Sequence, residues 1–345
     1  MKPLLAITMG DINGIGPEIL VKALAREEVW RQCQPLVVGS YAHFEALAAD
    51  TRGCPPPVRV DEPVEGAGMA DAVPVLDPGP PAPPRRPGVL DGEAGRCAIE
   101  WVRTGVALAM AQRVDGLVTC PLNKAGIHGA GYAYQGHTDF IAELTGSRDY
   151  RMCLFAGAMR VVHISSHCSL RAALDMVTQD RVADSVRIAG RALAGLGLAR
   201  RHVAVAGLNP HAGEEGAFGP EEQERIAPAV AQCRDEGLEC SGPHPPDTVF
   251  LRMWNGEFDA VTAMYHDQGH IPMKLIAMDE GVNVTLGIPL VRTSVDHGTA
   301  YDIAGTGKAR ETSLCAAIEL AARFCQGGWT PATILRPAVP RGSES

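Results

Sequence analysis

The 345-residue sequence lacks several patterns that mark particular protein classes. Its ten cysteines are scattered and form no CxxC pair, which argues against a disulfide framework and for a reducing compartment. Four of them lie in apolar, periodic surroundings, where we expect buried free thiols: Cys97, Cys153, Cys233 and Cys315. No run reaches about 18 apolar residues, and the first residues resemble a strand and a glycine turn rather than a signal peptide. We therefore expect a cytoplasmic protein with no membrane partner.

Positive charge is also scarce. The chain has 31 basic and 40 acidic residues, a net charge of −9, which disfavours binding to the phosphate backbone of a nucleic acid. Hydrophobic residues make up 46% of the chain and charged residues 21%, so the chain can bury a full core. At about 100–200 residues per domain, its length predicts two domains.

Short apolar runs alternate with helical patterns along the chain, and we detect no internal repeat. The predicted strands are Leu4–Thr8, Leu36–Val38, Leu117–Thr119, Val161–Ser165, Val203–Leu208, Ala260–Tyr265 and Val282–Leu286. The predicted helices are Pro17–Leu24, Glu93–Ala111, Arg181–Leu196, Glu221–Arg234 and Ser313–Phe324. This alternation predicts an α/β fold with largely parallel sheets, in which binding residues gather where strands end.

Three segments deserve comparison with known local motifs. Residues 74–88 are so rich in proline that we expect a loop or arm with neither helix nor inner strand. The glycine-rich turn Gly10–Glu18 lacks the third glycine of the Rossmann motif, and could either receive an anion or be purely structural. The segment Asp302–Ala309 resembles a P-loop, but its first glycine is replaced by aspartate and no Ser or Thr follows Lys308, so we exclude a nucleoside triphosphatase.

Histidines follow three predicted strands at or just beyond their carboxyl ends. They are His167, His211 and His266. One such histidine would be unremarkable, but three equivalent ones could converge on a cleft as three ligands of a catalytic divalent metal ion. The segment His266–His270 also resembles the HExxH helix of zinc proteases. The preceding strand, Gly269 and Pro272 argue against a helix there, and hence against a metalloprotease.

Other polar residues surround these positions. Residues 135–139 form a polar, glycine-rich stretch, and we place Lys274, Asn283 and Arg292 in loops around the last two strands, where Lys and Arg could bind phosphate or carboxylate. Residues 293–300 combine small and polar side chains, which suits a ligand-binding loop better than a core segment.

Seven ordered motifs together resemble the 4-hydroxythreonine-4-phosphate dehydrogenase family, also called PdxA, of pyridoxine biosynthesis. The motifs are GDxxGIGPE from Gly10, TxPxxK from Thr119, GHT from Gly136, LNPHAGE from Leu208, AMYHDQG from Ala263, NVTLG from Asn283 and RTSVDHGTA from Arg292. The resemblance extends from Gly10 to about Lys308.

This resemblance implies a fold similar to isocitrate and isopropylmalate dehydrogenases, with two α/β/α domains, a cleft between them and a homodimer. We predict a first domain of residues 1–130 plus about 300–345. Residues 131–299 would form the second domain, with the metal ligands and the dimer interface. The implied enzyme uses NAD or NADP and one Zn, Mg or Co ion to oxidise the C3 hydroxyl of a 4-phosphorylated hydroxy acid, and the 3-oxo acid is then decarboxylated.

The resemblance also implies roles for individual residues. His167, His211 and His266 would bind the metal across the dimer interface. Substrate would be bound by His137, Thr138, Lys274, Asn283 and Arg292. The cofactor would lie near Ser294, Val295, His297 and Gly298. Asp247 is a candidate for orienting a histidine ligand or relaying a proton, and Lys274 is the second candidate catalytic residue.

Two departures from the family pattern leave the branch open. Ile12-Asn13 replaces the usual Pro-Ala, and His270 replaces the apolar residue that tends to follow HDQG in biosynthetic members. HDQGHIPMK resembles instead the branch that oxidises 4-phospho-D-threonate or 4-phospho-D-erythronate. The GHT motif argues against the dihydrodiol dehydrogenase branch. A metal-dependent phosphohydrolase is the alternative from another class, and a catalytically silent binding module is a weaker one, since all three histidines are present.

Overall fold

The computed structural model describes residues 1–328, in which strands and helices alternate from one end to the other. The strands are β1 Leu4–Thr8, β2 Gln34–Val38, β3 Pro57–Arg59, β4 Val73–Leu76, β5 Gly116–Thr119, β6 Arg151–Ala156, β7 Met159–His163, β8 Val203–Ala206, β9 Cys240–His244, β10 Ala260–Ala263, β11 Val282–Leu286 and β12 Val291–Val295. The helices are α1 Gly16–Leu24, α2 Glu27–Gln32, α3 Tyr41–Ala49, α4 Pro63–Gly66, α5 Gly92–Met110, α6 Lys124–Gly129, α7 His137–Leu144, α8 Leu170–Asp175, α9 Gln179–Gly195, α10 Ala227–Asp235, α11 Val249–Trp254, α12 His266–Ala277 and α13 Thr312–Gln326. None of the helices within residues 1–328 is long and apolar enough to cross a membrane. The predicted α/β fold is confirmed.

The described residues divide into two compact units. Unit 1 contains residues 1–148 and 288–328, and unit 2 contains residues 149–287. We predicted domain boundaries near residues 130 and 300 from the sequence. The units are defined by compactness alone, so those domains stay a prediction.

Unit 1 is built on a parallel sheet with the strand order β3-β4-β2-β1-β5-β12. Strands β1 and β5 are central and buried along almost their whole length, as expected for apolar strands covered on both faces. Asp91 caps the long helix α5 by accepting a hydrogen bond from the backbone N–H of Glu93 at 2.8 Å, and its apolar stripe includes the buried Trp101. Because β5 and β12 pair in parallel, their carboxyl ends lie side by side.

Unit 2 has a mixed sheet with the order β11-β6-β7-β10-β8-β9. The pairs β11–β6 and β6–β7 are antiparallel, and the remaining pairs are parallel. One face of this sheet packs against helices α11 and α12, where Phe250, Met253 and Met273 are buried. The carboxyl ends of the parallel strands β7, β8 and β10 lead into the segments that carry His167, His211 and His266.

The prediction that residues 74–88 contain no inner strand was wrong at its first residues. Strand β4 lies between β3 and β2 and includes Pro74. Its pairing with β2 begins only at Val75, so the backbone N–H that Pro74 lacks is not needed for that pairing. Residues 77–88 contain neither helix nor strand, as predicted. Strands β3, β6, β9 and β12 were also not predicted.

The prediction that residues 266–270 are not helical was also wrong. They open α12, which continues through Pro272. Proline removes one intrahelical hydrogen bond, the one to the carbonyl of Gln268. The side chain of Gln268 ties this part of the helix to neighbouring strands, since it accepts from the Met264 N–H at 2.7 Å and donates to the Gly207 carbonyl at 2.8 Å. Local sequence signals for a break are thus overridden by contacts with the sheet.

Packing between α5 and α6 gives a test of the fold. A side chain at Gly95 would overlap the backbone carbonyl of Gly126, so Gly95→Ala should lower the unfolding free energy by about 1–3 kcal/mol, the usual cost of overpacking. At Gly190, inside α9, a Cβ would lie 3.6 Å from Leu238, which is ordinary contact. Gly190→Ala should therefore raise stability by up to about 1 kcal/mol through helix propensity. Urea denaturation of both variants measures the two changes in unfolding free energy. Equal changes would contradict the close contact between Gly95 and the Gly126 carbonyl.

Candidate active site

Unit 1 brings the polar side chains of Thr119, His137 and Arg292 together, and we call these residues, with the adjacent Thr138, the anion pocket. Arg292 lies in β12 beside β5, is only 2% exposed, and donates a hydrogen bond from Nη2 to the Thr119 hydroxyl at 2.9 Å. His137 is the first residue of α7, and its ring is hydrogen-bonded to the backbone of Cys120. The adjacent Thr138 is half-buried. The start of α7 thus faces the carboxyl ends of two parallel strands, where anions bind favourably.

The charges in this pocket are strongly affected by burial. Burial lowers the pKa of Arg292 to about 9. Burial and the nearby Arg292 hold the pKa of His137 well below its usual range. The Nε2 atom of His137 is buried and has no hydrogen-bond partner among residues 1–328. A buried polar atom in that state indicates a place for a ligand atom.

Strand β12 also corrects the predicted positions of several residues. Arg292 was placed in a loop, and residues 293–300 were expected to form a ligand loop, but Thr293, Ser294 and Val295 continue the buried strand. His297 and Gly298 follow it and are exposed. The sequence signal was obscured because the middle of β12 consists of three consecutive polar residues, although the whole strand is buried.

The glycine-rich turn of unit 1 is closely packed. A Cβ at Gly16 would lie 2.5 Å from the carbonyl of Met9, and one at Gly14 would lie 2.8 Å from Thr299. Asn13, one of the two departures from the family pattern, binds the proline-rich segment: it accepts from the Arg86 N–H at 2.6 Å and donates to the Val89 carbonyl at 3.0 Å. These contacts favour the structural interpretation of the turn over an anion site.

Unit 2 contains a group of imidazoles that we call the histidine cluster: His163, His167, His266 and His270. The ring centroids of His167 and His266 are 5.8 Å apart. Both residues line a cavity of about 520 Å³. His266 opens α12, and its Nδ1 lies 2.7 Å from a carboxylate oxygen of Asp267, so Nε2 is the ring atom left for a ligand. Asp267 is a partner that the sequence reasoning did not single out.

The other two members of the cluster lie deeper. His163 is 1% exposed, and burial, reinforced by the neighbouring His270, lowers its pKa to about 3. His270 lies on α12 one turn after His266, and the two rings stack with centroids 3.6 Å apart at an interplanar angle of 11°. Neither residue was predicted to have a role, although His270 stood out as a departure from the family pattern.

His211 lies in an unusual turn over Pro210–Gly216. Residues 211–215 all have positive φ, among them His211 (53°), Ala212 (56°) and Glu215 (57°). Such left-handed backbone is unfavourable for residues other than glycine, and persists where surrounding contacts enforce it, often at functional sites. The buried carboxylate of Glu222 anchors the approach to this turn by accepting from the backbone N–H groups of Leu208 and Asn209, both at 2.7 Å. The turn leaves the His211 side chain 64% exposed.

The sequence predicted that His167, His211 and His266 are metal ligands. Within residues 1–328 of one chain, no group of three or more His, Cys, Asp or Glu side chains is arranged to hold a metal ion. His167 and His266 lie together, each as an imidazole suited to a divalent ion, and one chain does not group His211 with them. The donor chemistry fits a metal, but the set of three is incomplete within one chain.

Most of the chain matches one known protein family. Residues 31–321 match the family described as Pyridoxal phosphate biosynthetic protein PdxA. The chain belongs to this family. The predicted family and the general prediction of a dehydrogenase are confirmed, and membership of a dehydrogenase family indicates a nicotinamide cofactor.

Named relatives and one solved structure cover nearly the whole chain. A D-threonate 4-phosphate dehydrogenase of Pectobacterium atrosepticum is 43% identical over 93% of this chain and 99% of its own length. A 4-hydroxythreonine-4-phosphate dehydrogenase of Desulfosudis oleivorans is 44% identical, over 93% and 95%. The crystal structure of a 4-hydroxythreonine-4-phosphate dehydrogenase from Klebsiella pneumoniae aligns with a TM-score of 0.84 at 44% identity, over 94% of this chain and 100% of that one. The fold of this chain is thus shared with that enzyme.

The remaining predicted site residues lie in unit 2. Lys274 is half-buried in α12 and Asn283 is in β11, so neither is in the predicted loops. The Oδ1 atom of Asn283 is buried without a hydrogen-bond partner among residues 1–328, as a ligand-binding amide would be. Asp247 lies exposed in the turn before α11. Its role and that of Lys274 stay predictions.

Proposed function

We propose that the protein oxidises the C3 hydroxyl of a 4-phosphorylated hydroxy acid with NAD or NADP, and that the resulting 3-oxo acid loses carbon dioxide. The observation that carries the proposal is the anion pocket. It brings a buried guanidinium, a half-buried imidazole and the start of α7 to the ends of two parallel strands. A phosphate group suits this combination, because Arg binds phosphate oxygens in pairs and a helix N-terminus favours negative charge.

For the substrate we propose D-threonate 4-phosphate. Relatives with that name in Pectobacterium atrosepticum and Bordetella bronchiseptica are 43% and 45% identical to this chain. The 44% identity to the Desulfosudis oleivorans relative supports 4-hydroxythreonine 4-phosphate as the second candidate. Both acids carry the phosphate at C4 and the reacting hydroxyl at C3, and they differ at C2.

A bound nicotinamide ring would accept the hydride from C3, and the hydroxyl proton would pass to a base on the protein. Decarboxylation leaves an enolate that must take up a proton at C2. We assign this proton transfer to Lys274, with Asp247 as the alternative. Asn283 would hydrogen-bond the substrate, and the exposed His297 and Gly298 with the neighbouring Ser294 and Val295 would contact the cofactor.

For the metal we propose a divalent ion, Zn, Mg or Co, held by His167 and His266 of one subunit and His211 of a second copy. When bound, it would supply Lewis-acid chemistry that lowers the pKa of the substrate hydroxyl. The Nδ1 contact of His266 with Asp267 supports this assignment, because a carboxylate there fixes the ring as in other metal-bound histidines.

Exposed apolar side chains support the homodimer. Helix α12 leaves Ile271, Leu275 and Met278 at its end more than half exposed, and Leu170 in α8 is 60% exposed. Large exposed apolar side chains close to functional histidines are typical of an interaction surface. We propose that a second copy of the chain covers them.

A substrate panel tests the proposed function. The enzyme is incubated with NAD or NADP, Co²⁺ and, separately, D-threonate, D-erythronate and 4-hydroxythreonine 4-phosphates, while nicotinamide reduction and free phosphate are followed. We expect reduction without phosphate release, fastest with D-threonate 4-phosphate. Phosphate release without a cofactor would instead establish a phosphohydrolase and overturn the proposal.

The anion pocket predicts a pH limit for phosphate binding. Burial lowers the pKa of Arg292 from its usual value to about 9, so the folded protein loses this proton at lower pH than the unfolded chain. Between these values unfolding takes up a proton, and this group makes the fold more stable as pH rises. Phosphate binding needs the charge, so its affinity should fall about tenfold per pH unit above pH 9.

Isothermal titration of the metal-free protein with inorganic phosphate from pH 8 to pH 10.5 measures this fall. Phosphate is already a dianion above pH 8, so its own charge changes little over the range. Thermal melting over the same range should show no loss of stability from Arg292. An affinity that stays flat across pH 9 would contradict the assignment of this guanidinium to the phosphate.

A further inference from the structure

Two imidazoles of unit 2, those of His270 and His163, form a continuous support beneath the ring of His266. The rings of His266 and His270 stack at 3.6 Å, and the ring centroids of His270 and His163 lie 4.7 Å apart. His163 is buried at the end of β7, whereas His266 is 35% exposed beside the cavity. The support therefore extends from the core of the sheet to the exposed ring.

Hydrogen bonds fix the orientation of the two deeper rings. The Nδ1 atom of His163 lies 3.2 Å from the carbonyl oxygen of Met152, and since a carbonyl can only accept, this nitrogen carries the proton. The Nε2 atom of the neutral ring is then an acceptor, and it lies 3.1 Å from Nδ1 of His270. His270 must therefore donate from Nδ1, which also lies 3.2 Å from the carbonyl oxygen of His266. In their neutral forms, both rings thus carry the proton on Nδ1.

Gly269 makes this arrangement possible. A Cβ at this position would lie 2.5 Å from Nε2 of His163 and 2.6 Å from Cγ1 of Val161, so any larger residue would push α12 away from β7. The close approach sets the distance at which His270 reaches His163. The glycine that argued against a helix in the sequence thus serves the contact between the helix and the sheet.

We propose that His270, held by His163, is a positioning residue that fixes the ring plane of His266. Asp267 orients His266 from its Nδ1 edge, while His270 supports one face of the ring, so Nε2 keeps one direction. This inference rests on the proposed role of His266 as a metal ligand. Its consequence is that divalent metal affinity depends on His270, which touches neither the metal nor the substrate in this scheme.

The test compares Co²⁺ binding to the metal-free full-length protein by isothermal titration. His270→Leu removes both the stacked ring and the hydrogen bond to His163, and should weaken Co²⁺ binding about 10- to 100-fold, as is usual for partners of metal-bound histidines. His270→Phe keeps a flat ring but loses the hydrogen bond, and should weaken binding by a smaller factor. If His270→Leu does not fold, His270→Phe carries the test, and unchanged affinity in it would overturn the proposal.

Matched controls separate the possible causes. His43→Leu removes a half-buried imidazole from α3 in the other unit, and should leave Co²⁺ binding unchanged. Thermal melting without metal shows whether each variant keeps its fold, and raising Co²⁺ should restore most of the kcat of His270→Leu. Wild-type affinity in a folded His270→Leu refutes the positioning role alone. A wild-type protein that binds no Co²⁺ refutes the metal assignment of His266, and the positioning role with it.

Discussion

Replacing His211 by alanine should reduce kcat by about a thousandfold or more and remove the bound metal, while nicotinamide binding survives. The expected size follows from the several kcal/mol by which a metal ion stabilises charge in such reactions, at about 1.4 kcal/mol per tenfold. His211 is held outward by a strained turn and makes a 3.3 Å contact with Glu214, so its loss should not damage the core. Metal content by atomic emission and cofactor titration by fluorescence measure the two effects. The exposed His128 in α6 provides the control, since His128→Ala should retain both activity and metal.

Mixing inactive variants tests whether two subunits share the site. If His167 and His266 come from one subunit and His211 from the other, a mixed dimer of His211→Ala and His266→Ala subunits has one complete site and one doubly damaged site. Random subunit exchange makes half of the dimers mixed, so activity should return to about a quarter of the wild-type value.

The pairing of the ligands gives this experiment its own control. His167 and His266 lie together in one chain, so a mixture of His167→Ala and His266→Ala should stay inactive. Recovery in that mixture would show that the ligands are divided differently between subunits. No recovery in either mixture would show that one subunit supplies all three ligands or that none of them is essential to a shared site.

The second large effect is expected at Arg292. Arg292→Met should lower kcat/KM for the phosphorylated acid by about a hundredfold to a thousandfold, because removing one partner of a buried charge pair costs about 2–5 kcal/mol. The ligand-free fold should lose little stability. The buried guanidinium is itself disfavoured by desolvation, as its lowered pKa shows, and its hydrogen bond to Thr119 is worth about 1 kcal/mol.

Two further variants distinguish charge from geometry at this position. Arg292→Lys keeps the charge but loses the planar fork, and should lie between wild type and Arg292→Met. Arg31→Met, which removes an exposed arginine from α2, should change kcat/KM by less than a factor of about two. Inorganic phosphate should raise the melting temperature of the wild type but not of Arg292→Met. A kcat/KM for Arg292→Met near the wild-type value would remove the phosphate role from this residue.

Much of the fold could be predicted from the sequence because apolar period and composition determine it directly. Strands β1 and β11 begin and end where the pattern placed them, since β1 is a short apolar run and β11 alternates apolar with polar residues. The neighbouring positions of His167 and His266 followed from the rule that parallel strands end at one edge of a sheet. Cys97, Cys153 and Cys233 are buried free thiols as predicted, whereas Cys315 is half-buried on α13.

The errors arose where distant contacts outweigh local preference. Gly269 and Pro272 are locally unfavourable in a helix, but Gln268 and the close packing of Gly269 on β7 hold α12 against the sheet. The polar residues of β12 gave no apolar run, because Arg292 and Thr293 are buried by neighbours far along the chain. Asn13 appeared in the sequence only as a departure from a family pattern. Its hydrogen bonds to Arg86 and Val89 join residues more than 70 positions apart, which local sequence does not indicate.

The turn that carries His211 has a consequence for chirality. Residues 211–215 all have left-handed backbone, close to the mirror image of an ordinary helical turn. Four of them are L-amino acids other than glycine, for which this conformation is unfavourable. For each such residue the left-handed conformation costs about 1–2 kcal/mol, so in isolation this peptide would wind the other way. A D-amino acid at position 212 would adopt this backbone as easily as an L-residue adopts a right-handed helix. The exposed imidazole is thus presented by a short piece of opposite handedness, which exists only while the rest of unit 2 is folded around it.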